Sequence, residues 1–291
     1  MESNIPKTAA IHDLSGFGRC SLTVIIPVLS TMGVQVCPLP TAVLSTHSGG
    51  FGEFYFHDLT EAMVPFGRHW EETGIEFDCL YSGFLGSVEQ IHHVADLFDK
   101  LKNKDNTLIV TDPVMGDNGR LYKTYTREMQ ENMCLLVKKA DLITPNLTEA
   151  YFLLNRSYSD RPLNSHEMKD ILKRLSDMGP GTVVITSLDT TDGCSANIGY
   201  DRKQDAYWRI DYDYIPAHYP GTGDIFTSVL IGGILNGDSL PVSIDRATQF
   251  VTMAVKTTYE KKTAIREGVL LERLLPWLFN HSVAETWRCI D

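Results

Sequence analysis

The chain has 291 residues, 43% of them hydrophobic and 22% charged, with a formal net charge of −11. That length allows one large domain or two small ones, the composition is that of a soluble globular protein, and the acidic balance argues against nucleic acid or an anionic membrane as the main partner. Six cysteines, at 20, 37, 79, 134, 194 and 289, show no CxxC and no metal-ligand spacing, so free thiols in a reducing, cytoplasmic protein are expected.

Residues 8–13 form a short apolar strand that runs into Leu14-Ser15-Gly16-Phe17-Gly18-Arg19. Ser21 can cap a helix from Leu22 to Met32 that Gly33 stops, and residues 34–39 form the next strand. This βαβ opening lacks the third glycine of a dinucleotide fingerprint, and no acidic residue follows its second strand. Residues 20–52 carry no formally charged side chain, but Pro27, Gly33, Gln35, Pro38 and Pro40 break the run, which favours a helix and strand over a membrane span.

Residues 41–56 are polar and glycine-rich and read as a long loop, with Ser45, His47 and Ser48 able to meet a polar substrate. A flexible surface loop explains that stretch equally well. Helices are then expected over 59–73, 88–102, 127–140, 146–154 and 165–178, with strands at 78–82, 107–111, 142–144 and 182–186. Residues 194–200 and 206–212 read as an antiparallel hairpin, helices over 223–236, 241–261 and 268–279 close the chain, and 281–291 is a frayed tail. Such alternation gives an α/β fold with a mostly parallel sheet, helices on both faces and one domain over 1–291.

Ligands of such sheets bind beyond the carboxyl ends of the strands, where three polar clusters fall. They are Thr111-Asp112-Pro113-Val114-Met115-Gly116-Asp117, Thr144-Pro145-Asn146-Leu147-Thr148-Glu149, and Thr186-Ser187. Asp112, Asp117 and Glu149 together could hold Mg²⁺, which takes few protein oxygens plus substrate phosphates. Each also has a plainer reading: Asp117-Asn118-Gly119 as a turn, and Asn146 with Glu149 as a reciprocal helix cap.

Pro220-Gly221-Thr222-Gly223-Asp224 precedes the buried helix that starts near Ile225. Glycines before a helix N-terminus turn N–H groups toward an anion, and a carboxylate inside that turn suits a base that deprotonates an attacking hydroxyl. A tight loop capped by Asp224 accounts for the tetrapeptide taken alone.

Together, Asp112-Pro113-Val114-Met115-Gly116-Asp117, Ile143-Thr144-Pro145-Asn146 with Glu149, Val184-Ile185-Thr186-Ser187 and Gly221-Thr222-Gly223-Asp224 resemble the ribokinase-like superfamily. Within it the chain looks like the pyridoxal (vitamin B6) kinases, over residues 8–262. The resemblance implies a three-layer α-β-α sandwich with an added antiparallel edge hairpin. It also implies a homodimer that uses ATP to phosphorylate the 5′-hydroxymethyl group of pyridoxal, pyridoxamine or pyridoxine. By the same resemblance Asp224 is the base and Gly221, Thr222 and Gly223 form the anion hole. Asp112, Asp117, Thr144, Asn146 and Glu149 make the cation and phosphate side, with Mg²⁺. Thr186 and Ser187 lie by the nucleotide phosphates and a monovalent cation (K⁺ or Na⁺), while Ile215 and Ala217 line the nucleotide. His47 and Ser48 match the segment that touches the vitamin ring. Two positions depart from the pattern: Asp13 stands where a serine is usual, and Phe84 replaces a tyrosine beside the ring. A hydroxymethylpyrimidine or sugar kinase of the same fold, or a non-catalytic vitamer-binding protein, remain the alternatives.

Overall fold

A computed structural model describes residues 5–102, 107–279 and 285–290. The chain opens with β1 (Lys7–Phe17), α1 (Leu22–Thr31), β2 (Gln35–Thr46), β3 (Phe56–Asp58) and α2 (Thr60–Glu72). It continues through β4 (Cys79–Ser82), α3 (Val88–Leu101), β5 (Leu108–Thr111), the small hairpin β6 (Gly116–Asp117) and β7 (Arg120–Leu121), and α4 (Arg127–Lys139). Next come β8 (Leu142–Ile143), α5 (Leu147–Leu153), α6 (Ser165–Asp177), β9 (Thr182–Asp189), β10 (Ser195–Asp201) and β11 (Ala206–Tyr212). The final elements are α7 (Thr222–Leu235), α8 (Leu240–Glu260) and β12 (Arg288–Cys289).

Ten strands make one sheet in the order β12-β11-β10-β9-β8-β5-β4-β1-β2-β3. The run from β9 to β2 is parallel throughout, and both flanks are antiparallel. Alternation along the strands feeds two cores. Ala9, Ile11, Leu80, Val183 and Ile185 face one, under α2 to α6. Ala10, Cys79, Tyr81 and Val184 face the other, under α1, α7 and α8. The three-layer α/β architecture is therefore as expected, because strands buried on both faces need apolar residues at odd and even positions alike.

Four expectations are corrected. Residues 41–46 are the second half of β2 rather than loop, since backbone pairing to β1 runs on to Phe17–Thr46 whatever the polarity of the side chains. Only 47–55 loop out before β3. Residues 268–279 do not form an α-helix but two short 3₁₀ turns, Leu271–Arg273 and Leu275–Phe279, preceded by a third at Ile265–Glu267. Ser21 stands before α1, but its hydroxyl caps no helix N–H. The tail is not frayed where it is described: β12 adds to β11, Asp245 accepts from the Trp287 N–H at 3.2 Å and the Thr286 hydroxyl at 2.8 Å, and Arg288 meets Asp211 at 2.7 Å. The rest of the expected tail, 281–284 and 291, lies outside the described residues. The β10–β11 hairpin forms as expected, with β12 outside it.

Among the described residues no helix is long and apolar enough to cross a membrane.

Candidate active site

The parallel strands end at one edge of the sheet, where a cleft of about 1060 Å³ opens. The residues that the resemblance assigned to the site all line it: Asp13, His47, Ser48, Phe84, Asp112, Asp117, Thr144, Asn146, Glu149, Thr186, Ser187, Ile215, Ala217 and Gly221 to Asp224. Ser45 does not line it; its hydroxyl accepts from the Tyr55 N–H at 2.9 Å.

The turn before α7 is built by close approach. Gly221 has φ 82°, and a Cβ there would lie 2.1 Å from the Arg19 carbonyl oxygen, so only glycine fits. Thr222, Gly223 and Asp224 follow as the first turn of α7, whose N–H groups lack intrahelical partners and favour negative charge. The Asp224 side chain is 14% exposed, enough for a substrate hydroxyl to reach it. Its Oδ2 accepts from the Ser21 N–H at 2.8 Å. Burial pushes its pKa up to about 7, the Ser21 N–H pulling down and the Asp13 charge adding to the rise. A carboxylate with that proton affinity is half ionised near neutrality, the condition under which a general base works best.

The end expected to hold a ring combines Leu44, Phe54, Phe56 and Phe84 with Asp13. Asp13 sits where the β1–β2 register slips, one residue facing Thr41 and Ala42. Such irregularities re-aim side chains beside active sites. Burial raises its proton affinity, while the hydroxyls of Ser21 and Ser15 favour the charged form, and Ser15 Oγ donates to its Oδ2 at 3.0 Å. His47 does not offer its imidazole nitrogens to a ligand, contrary to expectation. Nε2 donates to the Arg266 carbonyl at 2.6 Å and Nδ1 accepts from the Gly49 N–H at 3.1 Å. The ring instead pins the 47–55 loop and packs against Phe51, which lies under the Arg266 guanidinium. Ser48 is exposed beside it.

At the other end Asn146 and Glu149 form the reciprocal cap of α5. Glu149 Oε1 accepts from the Met115 N–H at 3.0 Å and Oε2 from the Asn146 N–H at 2.9 Å, so both oxygens are engaged. Asn146 Nδ2 donates to the Gly116 carbonyl at 2.9 Å. Asp117 is exposed and closes the Asn118-Gly119 turn, accepting from the Asn118 N–H at 2.8 Å. Thr144 Oγ1 accepts from Thr227 at 2.9 Å, tying the strand end to α7. Asp112 differs from these. It is buried, with its proton affinity held well above the usual carboxylate range by burial and by the Glu149 and Asp224 charges, and no donor among the described residues offsets them. Among the described residues no three His, Cys, Asp or Glu side chains form a ready-made metal cage. Three carboxyl groups, Asp112, Glu149 and Asp224, whose raised proton affinities reflect burial and neighbouring carboxylates, still suit a hard cation that brings its own water and phosphate oxygens. Ser187, at φ 59°, donates its N–H to Asn197 Oδ1 at 2.9 Å, which turns the end of β9 toward the cleft beside Thr186. Ile215 and Ala217 face Val251 and Val255 of α8 across an apolar slot.

The sequence reading missed Ser21 and His12. Asp224 holds Ser21 through its backbone, which leaves no side-chain signature. His12 lies under the floor, wholly buried, with Nδ1 3.9 Å from Asp224 Oδ1. Strand alternation with Ala10 would have placed it on that face.

A family model described as phosphomethylpyrimidine kinase matches residues 26–268. A pyridoxal kinase of Arabidopsis thaliana is 32% identical over 245 residues, which cover 79% of this chain and 72% of that protein. A Bacteroides thetaiotaomicron protein, provisionally named a phosphomethylpyrimidine kinase and crystallised with pyridoxal, is 46% identical at a TM-score of 0.94, covering 99% of this chain and 100% of its own. The crystal structure of a pyridoxal kinase from Lactobacillus plantarum is 31% identical at a TM-score of 0.85, covering 95% and 97%.

Proposed function

The chain belongs to the pyridoxal kinases of the phosphomethylpyrimidine kinase family, and from that membership we propose that it transfers the γ-phosphoryl group of ATP to the 5′-hydroxymethyl group of a vitamin B6 pyridine. The observation that carries this reading is Asp224: a carboxylate of pKa about 7 at a helix N-terminus, placed in a cleft with an aromatic slot at one end and an acidic, hydroxyl-rich side at the other.

The ring lies between Phe84 and the Leu44–Phe56 side, with Asp13 facing a donor on its edge. The substrate hydroxyl attacks the γ-phosphorus in line and gives its proton to Asp224 Oδ1, the oxygen that the Ser21 N–H leaves free. A new P–O5′ bond forms as the bond to the β-phosphate bridging oxygen breaks, leaving ADP and the 5′-phosphate. Backbone N–H groups of Thr222 to Asp224 meet the charge on the transferring group, and because they are fixed before the reaction they need no reorganisation. Asp112 is the residue best suited to hold Mg²⁺, with Glu149, Asp117 and Thr144 around it. A bound Mg²⁺ would neutralise phosphate charge. Thr186 and Ser187 are placed for the phosphates and a monovalent cation, Ile215 and Ala217 for the base of the nucleotide.

The family also supports a homodimer, and the exposed apolar residues Leu14 and Val43, paired on neighbouring strands, fit such a contact. The unbroken ten-stranded sheet supports one domain over 1–291. Six free cysteines support the cytoplasm.

The test is ADP release from Mg-ATP with pyridoxal, pyridoxamine, pyridoxine and hydroxymethylpyrimidine, with Asp224→Asn in parallel. Turnover on the pyridines that collapses in the variant is expected. Turnover on the pyrimidine alone would favour the activity after which the matching family model is named, and no turnover would favour a binding protein.

A further inference from the structure

Thr186 and Ser187 break the alternation of β9, and the break is what lets both of them line the cleft. Val183 and Ile185 face the core under α2 to α6, and Leu188 rejoins it after three residues instead of two. The partner strand keeps its step, with Ala196, Ile198 and Tyr200 facing that same core. Register accounts for the difference. Leu188 pairs with Ala196 and Ile185 with Ile198, so two residues of β9 stand opposite Asn197 alone. Such a bulge re-aims side chains beside an active site and leaves a backbone group without its ladder partner.

The Asn197 side chain holds that bulge. Ser187 stands at φ 59°, a region serine rarely adopts, and its N–H donates to Asn197 Oδ1 at 2.9 Å in place of a main-chain carbonyl. On the other side of the amide, Nδ2 donates to Thr248 Oγ1 of α8 at 2.8 Å. The Thr248 hydroxyl gives its one proton to the Ile244 carbonyl, also at 2.8 Å, so toward Asn197 it can only accept. That fixes which way the amide faces, Oδ1 to the bulge and Nδ2 to the helix. Asn197 and Thr248 are both buried, so a bond lost here is not replaced by water. The same helix carries Val251 and Val255, across the slot from Ile215 and Ala217.

We propose that Asn197 is a positioning residue for the nucleotide: its amide holds the β9 bulge that sets Thr186 and Ser187 side by side in the cleft, and ties that bulge to the helix lining the slot for the base. The inference rests on the kinase reading above, which puts the phosphates at Thr186 and Ser187. The vitamer end is built elsewhere, on β1, β2 and the end of β4, from Asp13, Leu44 and Phe84. Loss of the amide therefore weakens the hold on ATP and leaves binding of the vitamer in place.

The experiment is steady-state kinetics of the full chain, varying pyridoxal and ATP separately, for Asn197→Ala, Thr248→Val, Thr248→Ser and the double variant Asn197→Ala/Thr248→Val. Asn197→Ala should raise the KM for ATP by about tenfold, the scale of a lost buried hydrogen bond, with the KM for pyridoxal within about twofold. Thr248→Val keeps the shape of the side chain but offers the amide no acceptor, and should raise the KM for ATP about threefold. Thr248→Ser keeps the hydroxyl and should restore the wild-type KM. The double variant should be no worse than Asn197→Ala, since the hydroxyl acts through the amide. If alanine does not fold at 197, the contrast between Thr248→Val and Thr248→Ser carries the test. A wild-type KM for ATP in Asn197→Ala or in Thr248→Val, an equal rise in both KM values, or additive effects in the double variant would overturn the inference alone. Absence of turnover in the unmodified enzyme would overturn the kinase reading and this inference with it.

Discussion

Nδ1 of His12 stands 3.9 Å from Oδ1 of Asp224, and neither nitrogen of that wholly buried ring has a hydrogen-bond partner among the described residues. Burial holds the imidazole at a pKa of about 3, so it is uncharged at neutral pH and lends Asp224 no positive field. The base is left with a pKa of about 7, set chiefly by its own burial. The kcat/KM for the vitamer should rise about tenfold per pH unit below that value and level off above it. A profile measured from pH 5 to 9 checks this, and a flat line through neutrality would remove Asp224 as the titrating group.

The same displacement makes the base a burden on stability. A carboxyl whose folded pKa is about 7, against an ordinary value of 3.8, stabilises the fold fully below about pH 4, and that contribution is lost as pH rises through 7. Asp224→Asn cannot ionise and keeps an oxygen for the Ser21 N–H. It should melt higher than the unmodified protein at pH 8, by roughly 5 °C, with the gap closing toward pH 4. Turnover should fall on the order of 10²–10⁴. Paired melts and rates at pH 4 and pH 8 decide both parts.

Two glycines two residues apart should fail differently. At Gly221 a methyl group meets the Arg19 carbonyl at 2.1 Å in a left-handed conformation, so Gly221→Ala should lose about 1–3 kcal/mol of stability and shift Ser21 off Asp224. At Gly223 a methyl group would have Asp112 Oδ2 as its neighbour at 3.8 Å, an ordinary contact within a helix. Gly223→Ala should melt near normally and instead raise the KM for ATP by crowding the phosphates. Melting curves beside nucleotide KM values separate the two.

Asp112 and Glu149 should also part company. Both Glu149 oxygens hold backbone N–H groups, so Glu149→Gln puts a donor against a donor and should cost about 1–3 kcal/mol of stability while leaving the Mg²⁺ requirement alone. Asp112→Asn should fold normally and raise the Mg²⁺ concentration needed for half-maximal rate. Magnesium titrations of the two variants check this, and a larger shift in Glu149→Gln would reassign the roles.

Much of this was legible in the sequence. Strands such as 182–186 are β-branched at every position and apolar at Val183, Val184 and Ile185, which placed them inside the sheet, and the glycine pair before Asp224 marked the turn. The residues chosen from four separate stretches do meet in one cleft. What escaped notice has physical causes. Residues 41–46 pair through backbone groups, and their mixture of hydroxyl and apolar side chains has no strict alternation, so no periodicity betrays the strand. The Glu149 cap and the Glu149 ligand look alike until partners are assigned. Ser21 acts partly through a main-chain N–H, which any residue supplies, and only its torsion angle is distinctive.

Cys20 lines the cleft beside Ser21, and its burial together with the Asp13 and Asp224 charges drives its thiol far from ionisation. The nucleophilic form of a cysteine is the thiolate, which this setting suppresses. An aldehyde such as pyridoxal can therefore rest against the sulfur without being captured as a hemithioacetal. Alkylating and oxidising reagents should likewise spare Cys20 and react first at the exposed Cys289.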